Sequence, residues 1–465
     1  MAVHDDVIYG TLLIICIGLG FFVKNISDIK RKQYLCSGIG GLIVLLVCGK
    51  HSLHSLITVV GNIIIIKCLG PRQCHLASFI WSFSYIVFFR TTHLFGLPPI
   101  PAHTNAIQLL LTLKLAGVAF EVHDSHYEKA VENSHNDEEN EKQALKQKYQ
   151  QVNPSVSDLF MYSYCYIGML TGPYYKFRTY KDMLQQKKPE AIDTQTPFFN
   201  RLKMAPIYGL AFIITSQFYW ISYVETEEFN QSSFLYRLWY MVPMFFIFRM
   251  RFYSAWVLSE CMCMAAGLGA YPKASKPRSG QGPTDFKALE ESMSSDPSLV
   301  EYDFETIHNI NEYGTEFLPT CRDGMRYWNM TVQYWLANNV YKRAGKAYRT
   351  SLTMAVSAFW HGIHPGYYLS FLSAPPFMLA EGAMAAAFRD NKSPRQQKIF
   401  DWCNWFIRMR FFEYGAMAFM LLELKKTLQY WSNVYFIIHV LNIIFLIIGK
   451  MYAPKKSKEE SGKKL

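Results

Sequence analysis

His361 is the residue whose type and surroundings point most directly to chemistry. It stands between an apolar run at 352–356 and another at 369–372, in a segment rich in aromatic residues. An imidazole titrates near neutral pH, so it can accept a proton and return it. Ionisable groups at membrane depth are costly to keep there and suggest a functional role. From these residues alone, His361 is either a structural histidine or a proton relay.

A second informative segment, 322–336, combines polar residues with aromatic ones. Its pattern predicts one helix, with Trp328 and Trp335 at helical spacing on one face. Asn329 and Gln333 lie one turn apart on that helix. Because a buried asparagine must find partners or cost stability, its position among aromatics is informative. The segment is too far from His361 for one helix, so two packed helices are expected.

Two other residues compete for the chemistry assigned to His361. His364 precedes Pro365-Gly366, which predicts that it stands where a helix turns or ends. Ser357 lies one helical turn before His361, but the sequence around it lacks the nucleophile elbow of serine hydrolases. A serine triad is therefore disfavoured, while His364 stays open as the active histidine.

The composition indicates a membrane protein. Hydrophobic residues make up 51% of the chain and charged residues 18%, below the roughly 25% of soluble domains. Several apolar runs approach the ~20 residues that span a bilayer. We expect an all-α, polytopic transmembrane bundle of about 11 membrane helices, within a range of about 9–12, enclosing a substrate chamber. One membrane domain should cover residues 1–452, followed by a basic tail at 453–465. The apolar runs are 7–23, 36–49, 52–66, 76–97, 105–120, 156–171, 205–224, 235–248, 253–270, 350–388, 411–424 and 431–449.

Charge placement predicts the topology. The first apolar run has no basic residues before it and no clear cleavage site, which favours a retained helix over a signal peptide. Basic residues at 24–32 follow that helix, so the N-terminus is expected in the lumen. The lysine-rich tail predicts a cytosolic C-terminus. Its ending, Lys463-Lys464-Leu465, is close to a di-lysine retrieval signal and hints at the endoplasmic reticulum.

Two stretches break the apolar pattern. Residues 122–153 are polar and charged, which predicts a flexible or solvated helical loop. Residues 272–300 are rich in Pro, Gly and Ser, which predicts a mobile linker. The ten cysteines show no C-x-x-C spacing, so a metal site is not expected.

Several motifs carry a resemblance to a known family. Trp360-His361-Gly362, the following Pro365-Gly366-Tyr367 and the upstream Tyr327-Trp328-Asn329 resemble those of the membrane-bound O-acyltransferases. Four longer segments are similar to the branch that acylates lysophosphatidylinositol. These segments are 171–180, 248–253, 267–272 and 323–330.

The resemblance implies an enzyme of the endoplasmic reticulum and related membranes. Such enzymes transfer a fatty acyl group from acyl-CoA to the sn-2 hydroxyl of a lysophospholipid. In this branch the acceptor is lysophosphatidylinositol and the donor carries an arachidonoyl or other polyunsaturated chain. The conserved His and Asn of the family correspond to His361 and Asn329. No cofactor, metal or obligate protein partner is implied.

The acyl transfer needs few catalytic groups, because a thioester is already activated. We expect a neutral His361 to act as general base on the lipid hydroxyl and then to protonate the CoA thiolate. Asn329 would stabilise the oxyanion or orient the imidazole or the substrate. Neighbouring candidates for substrate binding are Trp328, Gln333, Trp360, His364 and Tyr367. Basic candidates for the phosphates of CoA and inositol lipid are Lys176, Arg178, Arg249, Arg251, Arg322 and Arg326.

Two alternatives remain open at this point. The first keeps the chemistry and changes the acceptor to another lysophospholipid or a protein hydroxyl. The second is a polytopic transporter that uses the same polar residues along a pathway. Nucleic acid fits poorly, since the net charge of +11 does not arise from a soluble basic module.

Overall fold

The computed structural model describes residues 2–127 and 137–454. These residues are largely helical, with one short two-stranded sheet, so the predicted all-α class is confirmed. Strands β1 (Tyr271–Pro272) and β2 (Tyr302–Asp303) pair antiparallel. The helices are α1 (Ala2–Lys24), α2 (Ile29–Cys48), α3 (Ser52–Cys68), α4 (Gly70–Arg90), α5 (Ala102–Tyr127), α6 (Asp137–Gln150), α7 (Val156–Ser163), α8 (Phe177–Leu184), α9 (Gln195–Leu202), α10 (Ala205–Ser216), α11 (Glu227–Gln231), α12 (Phe234–Trp239), α13 (Met241–Ala265), α14 (Phe286–Ser294), α15 (Glu312–Phe317), α16 (Cys321–Arg326), α17 (Met330–Leu336), α18 (Arg349–His361), α19 (Pro365–Leu372), α20 (Ala374–Phe388), α21 (Pro394–Leu421), α22 (Leu424–Asn433) and α23 (Ile437–Tyr452).

Several helical stretches have the length and apolar character to cross a membrane. Within the described residues there are five, and α22 with α23, bent by 71° at their junction, would add a sixth. Multi-pass membrane architecture is therefore supported, while the count of about 11 spans stays a prediction. The five stretches are Ile29–Cys68, Ala102–Tyr127, Gln195–Glu225, Phe234–Ala265 and Pro365–Phe388.

The chain divides into two compact units. The first comprises Met1–Gly209, Arg251–Ile310 and Asn329–Arg343. The second comprises Leu210–Met250, Asn311–Trp328 and Ala344–Leu465. The prediction of a single membrane domain over 1–452 remains a prediction. His361 belongs to the second unit and Asn329 to the first.

The first unit is built around α5, whose residues are buried along most of its length. Polar bonds join α5 to its neighbours, because buried polar groups need partners. The Gln108 amide donates to Thr58 Oγ1 of α3 at 2.8 Å. The indole of Trp335, fully buried on α17, donates to the Leu113 carbonyl at 3.0 Å. The segment that begins at Asn329 is thereby fixed to the central helix.

The core of the second unit is aromatic and sulfur-rich. Tyr414 and Met417 of α21 pack with Tyr430 and Trp431 of α22, and all four are buried. The rings of Tyr414 and Trp431 stack with centroids 4.9 Å apart. A capping box at Ser393 starts α21. This packing anchors the helices that follow His361.

The predicted continuous helix over 322–336 is wrong. The chain forms α16 and α17 instead, with Asn329 between them in the left-handed conformation (φ 49°, ψ 53°). Asparagine tolerates this conformation better than most residues. The break arises from a tertiary bond, since the Met330 N–H donates to the Asn309 carbonyl at 2.7 Å.

Of the two polar stretches, 272–300 is more ordered than its composition predicts. In 122–153 the expected helix is confirmed as α6, and residues 128–136 lie outside the described residues. In 272–300 the prediction of a mobile linker is wrong, because α14 forms there and buries Leu289 against Tyr149 and Tyr271. The proline and glycine content of this stretch predicts its turns but not the burial of Leu289. The predicted basic tail lies outside the described residues from 455 onward.

Candidate active site

His361 is the last residue of α18 and is half-buried among aromatic rings. Its ring stacks on Phe371, with centroids 5.2 Å apart and planes inclined by 23°. The edges of Phe419 and Trp360 approach it at 5.1 and 4.7 Å, and Tyr367 lies 5.9 Å away. These four rings, which we call the aromatic cage, pack around the imidazole on several sides.

Two glycines allow the chain to turn beside His361. A Cβ on Gly362 would stand 2.5 Å from the Tyr367 ring. A Cβ on Gly366 would collide with the backbone of Ala418 and Leu422. The Gly366 N–H also donates to the Leu422 carbonyl at 2.7 Å, which fixes the start of α19. At both positions neighbouring atoms lie too close to leave room for a side chain, which explains the two glycines of the motif.

The predicted neighbours of His361 fall into two groups. Trp360 is buried and Tyr367 half-buried, and both belong to the aromatic cage. His364 is exposed and precedes α19 without capping it through its side chain. The prediction that His364 stands at a helix turn is confirmed. The His364 ring lies 6.2 Å from that of Tyr367, at the margin of the cage, whereas the His361 ring contacts four aromatic rings.

Asn329 lies half-exposed at the start of α17. Its backbone carbonyl accepts from the N–H groups of Val332 and Gln333, at 3.0 and 2.9 Å. Its side chain does not cap the helix, although asparagine commonly does so at this position. Trp328, which precedes Asn329, lies in the second unit, where its ring stacks on Phe248 at 6.1 Å.

A polar cavity of about 250 Å³ lies within the first unit. Lys176 and Arg178, both predicted anion-binding residues, line it together. So do Tyr334 of α17 and Lys342, which follows the π-helical turn 337–341. Such turns are frequent at functional sites. Lys342 and the cavity walls contributed by α6 and α14 could not be predicted from the sequence, because they come together only through tertiary packing.

The acidic residues of this cavity are already engaged. Arg178 forms a 2.8 Å ion pair with Asp182. The Glu121 carboxylate accepts from the backbone N–H of Phe177 at 2.8 Å. Asp124 is paired at 2.6 Å with Arg343, just outside the lining.

Two lysines of the cavity form no close ion pair of this kind, although the charge of Glu121 acts on Lys176. Lys176 stands 5.4 Å over the Tyr334 ring, and Lys342 donates to Asn338 Oδ1 at 3.4 Å. In the described part of the chain neither lysine has an ion-pair partner. Both lysines therefore contribute cationic groups to the lining of the cavity.

Burial changes the titration of two groups on the cavity wall. Burial raises the pKa of Asp182, although the charge of Arg178 acts in the opposite direction. Burial, with the negative charge of Asp182, raises the pKa of Tyr271 well above its usual value. The Tyr271 hydroxyl donates to Asp182 Oδ2 at 2.7 Å. This hydrogen bond joins α8 to β1 in the cavity wall.

The remaining predicted residues are not gathered at this cavity. Arg249 is buried in the second unit, where it forms a 2.8 Å ion pair with Glu316 and lies 4.3 Å over the Phe245 ring. Arg251 of the first unit is exposed, as are Arg322 and Arg326 of the second. Gln333 is half-buried beside Asn329. Arg249 thus has a structural partner that the sequence pattern could not reveal.

The sequence profile of the membrane-bound O-acyltransferase family matches residues 80–422. This match includes both the Asn329 segment and the Trp360-His361-Gly362 motif. The chain belongs to the membrane-bound O-acyltransferase family. It is an O-acyltransferase, so the transporter alternative is set aside. Among the described residues, no group of three His, Cys, Asp or Glu side chains could hold a metal ion.

Similar proteins cover nearly the whole chain. A membrane-bound acylglycerophosphatidylinositol O-acyltransferase of Xenopus laevis is 45% identical, covering 98% of this chain and 97% of its own. The Homo sapiens protein of that description is 44% identical, and the match covers 95% of this chain and 93% of the human protein. The Drosophila melanogaster protein of that description is 36% identical, and the match covers 93% of this chain and 89% of the fly protein.

Proposed function

We propose that this enzyme transfers a polyunsaturated, arachidonoyl-type acyl group from acyl-CoA to the sn-2 hydroxyl of lysophosphatidylinositol, and so remodels phosphatidylinositol. The observation that carries the proposal is the 45% identity, over almost the entire length, to an acylglycerophosphatidylinositol O-acyltransferase. The same description applies to the human and fly proteins, which supports this acceptor class over another lysolipid.

The proposed reaction begins with the lipid hydroxyl. Its oxygen attacks the thioester carbonyl carbon while His361 accepts the hydroxyl proton. The carbonyl oxygen becomes an oxyanion, to which the Asn329 carboxamide donates a hydrogen bond. Collapse of this intermediate breaks the C–S bond, and the imidazolium returns the proton to the CoA thiolate. Atoms and charge balance without a metal or a covalent enzyme intermediate.

The aromatic cage supports the proposed role of His361. A general base must keep its ring in one orientation to be effective. Stacking on Phe371 and edge contacts from Phe419 and Trp360 restrict the ring from several directions.

We assign the phosphates of CoA to the polar cavity of the first unit. Lys176 and Lys342 offer cationic groups that form no close ion pair with a carboxylate among the described residues, although the charge of Glu121 acts on Lys176. The volume of about 250 Å³ lies below the ~300–1,000 Å³ of sites that enclose a whole small molecule. It would therefore hold a phosphorylated part of CoA rather than the acyl chain.

We further propose that the enzyme resides in the endoplasmic reticulum and related membranes, with a lumenal N-terminus and a cytosolic C-terminus. The positive charges that follow the first helix and those of the lysine-rich tail support this orientation.

The acceptor is tested with purified enzyme and a panel of lysophospholipids, offered singly and in competition. We expect acyl transfer to lysophosphatidylinositol to exceed transfer to lysophosphatidylcholine and lysophosphatidylserine. A second panel of acyl-CoAs tests the chain preference. Equal transfer to all lysolipids, or preference for another head group, would contradict the proposed acceptor while leaving the acyltransferase chemistry intact.

A further inference from the structure

The backbone around Asn329 is held by a buried hydrogen-bond network that the reaction scheme does not use. Asn329 adopts a left-handed conformation, which is uncommon for a residue other than glycine. Such a conformation persists only where the surroundings impose it. The position of its carboxamide therefore depends on what fixes the residues beside it.

Asn309 makes the bonds that fix those residues. Its carbonyl accepts from the Met330 N–H at 2.7 Å. Its side-chain Oδ1 accepts from the Thr331 hydroxyl at 2.6 Å and from the Thr331 N–H at 3.4 Å. The Thr331 hydroxyl in turn accepts from the Tyr174 N–H at 3.1 Å. The side chains of Asn309 and Thr331 are shielded from solvent, so each lost bond leaves a buried group unsatisfied.

Asn309 is itself held by a carboxylate on α13. Glu260 Oε1 accepts from the N–H groups of Asn309 and Ile310, at 2.7 and 3.2 Å. The second oxygen of Glu260 accepts from Arg201 Nε at 2.6 Å. Arg201 also donates to the Ile310 carbonyl at 3.1 Å. The Glu260–Arg201 ion pair therefore binds the segment 309–310 through both its N–H groups and a carbonyl.

A buried carboxylate in an apolar helix needs a reason. Glu260 is fully buried within the candidate membrane stretch Phe234–Ala265. A buried ion pair contributes little net stability compared with apolar packing, so stability alone explains it poorly. Its hydrogen bonds instead converge on the segment that fixes Met330 and Thr331.

We propose that Glu260, Asn309 and Thr331 are positioning residues that set the orientation of the Asn329 carboxamide in the transition state. This inference rests on the proposed function, in which Asn329 donates to the oxyanion. None of the three residues needs to touch substrate. Their effect should appear in turnover, because a displacement of about 1 Å in a catalytic group costs on the order of 100-fold in rate.

The test compares two substitutions of Thr331 in the purified, full-length enzyme. Thr331→Val keeps the shape and removes the hydroxyl, whereas Thr331→Ser keeps the hydroxyl. We expect Thr331→Val to lower kcat by on the order of 10- to 100-fold, with KM for acyl-CoA within about twofold of wild type. Thr331→Ser should retain most of the turnover. Glu260→Gln, which keeps one oxygen for the two backbone N–H groups, should give an intermediate kcat.

Several outcomes would overturn the inference. One is a Thr331→Val enzyme with wild-type turnover. Another is a Thr331→Val enzyme in which kcat, KM and Tm all deteriorate together and Thr331→Ser fails equally, which indicates a purely structural role. If wild type itself transfers no acyl group to lysophosphatidylinositol but acylates another lysolipid, the proposed acceptor fails. The Thr331 comparison can then still be made with that other acceptor, so the two failures are distinguishable.

Discussion

The imidazole of His361 stacks on the phenyl ring of Phe371, with centroids 5.2 Å apart and planes inclined by 23°. The two residues lie on successive helices, α18 and α19, joined by the short turn 362–364. A change in that turn should therefore move the ring of His361 relative to its cage without removing any catalytic atom.

Gly362→Ala is the substitution that tests this turn. The added methyl group would stand 2.5 Å from the Tyr367 ring, so either the ring or the turn must shift. We expect turnover to fall by on the order of 100-fold in the acyl transfer assay. Gly382→Ala in α20 is the matched control, since a Cβ there meets nothing within 4 Å. Equal activity of Gly362→Ala and wild type would show that the turn tolerates the shift.

His364→Ala should be much milder than loss of His361. His364 is exposed and makes no side-chain cap for α19. We expect its removal to lower kcat by less than about tenfold, compared with the 10²–10⁴-fold contributed by a general base. Parallel kinetics of the two alanine variants provide the measurement. Equal losses would reverse the roles assigned to the two histidines.

Lys176→Ala should weaken the binding of acyl-CoA. Lys176 and Lys342 are the cavity lysines without ion-pair partners in the described residues, so each can bind a phosphate. We expect KM for acyl-CoA to rise on the order of tenfold with little change in kcat. Lys273→Ala, which removes an exposed lysine paired with Glu301, is the control. An unchanged KM in both Lys176→Ala and Lys342→Ala would exclude the cavity as the phosphate site.

His308 should make stability depend on pH. Burial acts to lower its pKa, but the hydrogen bond to Glu305 and the charges of Glu260 and Glu305 prevail and raise it to about 9. Its ordinary pKa is 6.5, so the stabilising effect is complete below that pH and is lost as the pH rises through about 9.

We therefore expect the Tm of wild type to fall between pH 6.5 and about 9.5 by a few degrees more than the Tm of His308→Gln. Glu305→Gln should flatten the profile in the same way, because it removes the partner of the imidazolium. His126→Gln, at an exposed position, should follow wild type. Parallel profiles for wild type and His308→Gln would count against the raised pKa.

The sequence was most informative where local pattern and motif coincide. The location of His364 at a helix turn follows from Pro365-Gly366, because proline starts a helix more readily than it continues one. Lys176 and Arg178 do meet at one cavity. The break at Asn329 was missed because the bond from Met330 to Asn309 spans two separate segments.

Composition was the weakest guide to packing. The stretch 272–300 reads as a linker from its Pro and Gly content, yet Leu289 is buried beside Tyr149. Arg249 reads as an anion-binding residue, yet Glu316 lies 2.8 Å from it. In both cases the partner comes from a distant part of the chain, which no local pattern reports. The role of Glu260 could not be predicted for the same reason, since its partners Asn309 and Arg201 are distant in the chain.

The most direct test of the proposed mechanism is the rate of acyl transfer from arachidonoyl-CoA to lysophosphatidylinositol by wild type and by His361→Ala. Both proteins should be purified and their Tm values compared, so that a folding defect is distinguished from the loss of a catalytic group. If His361 is the general base, the substitution lowers kcat by on the order of 10²–10⁴-fold while the protein stays folded. Turnover by folded His361→Ala close to that of wild type would contradict the account.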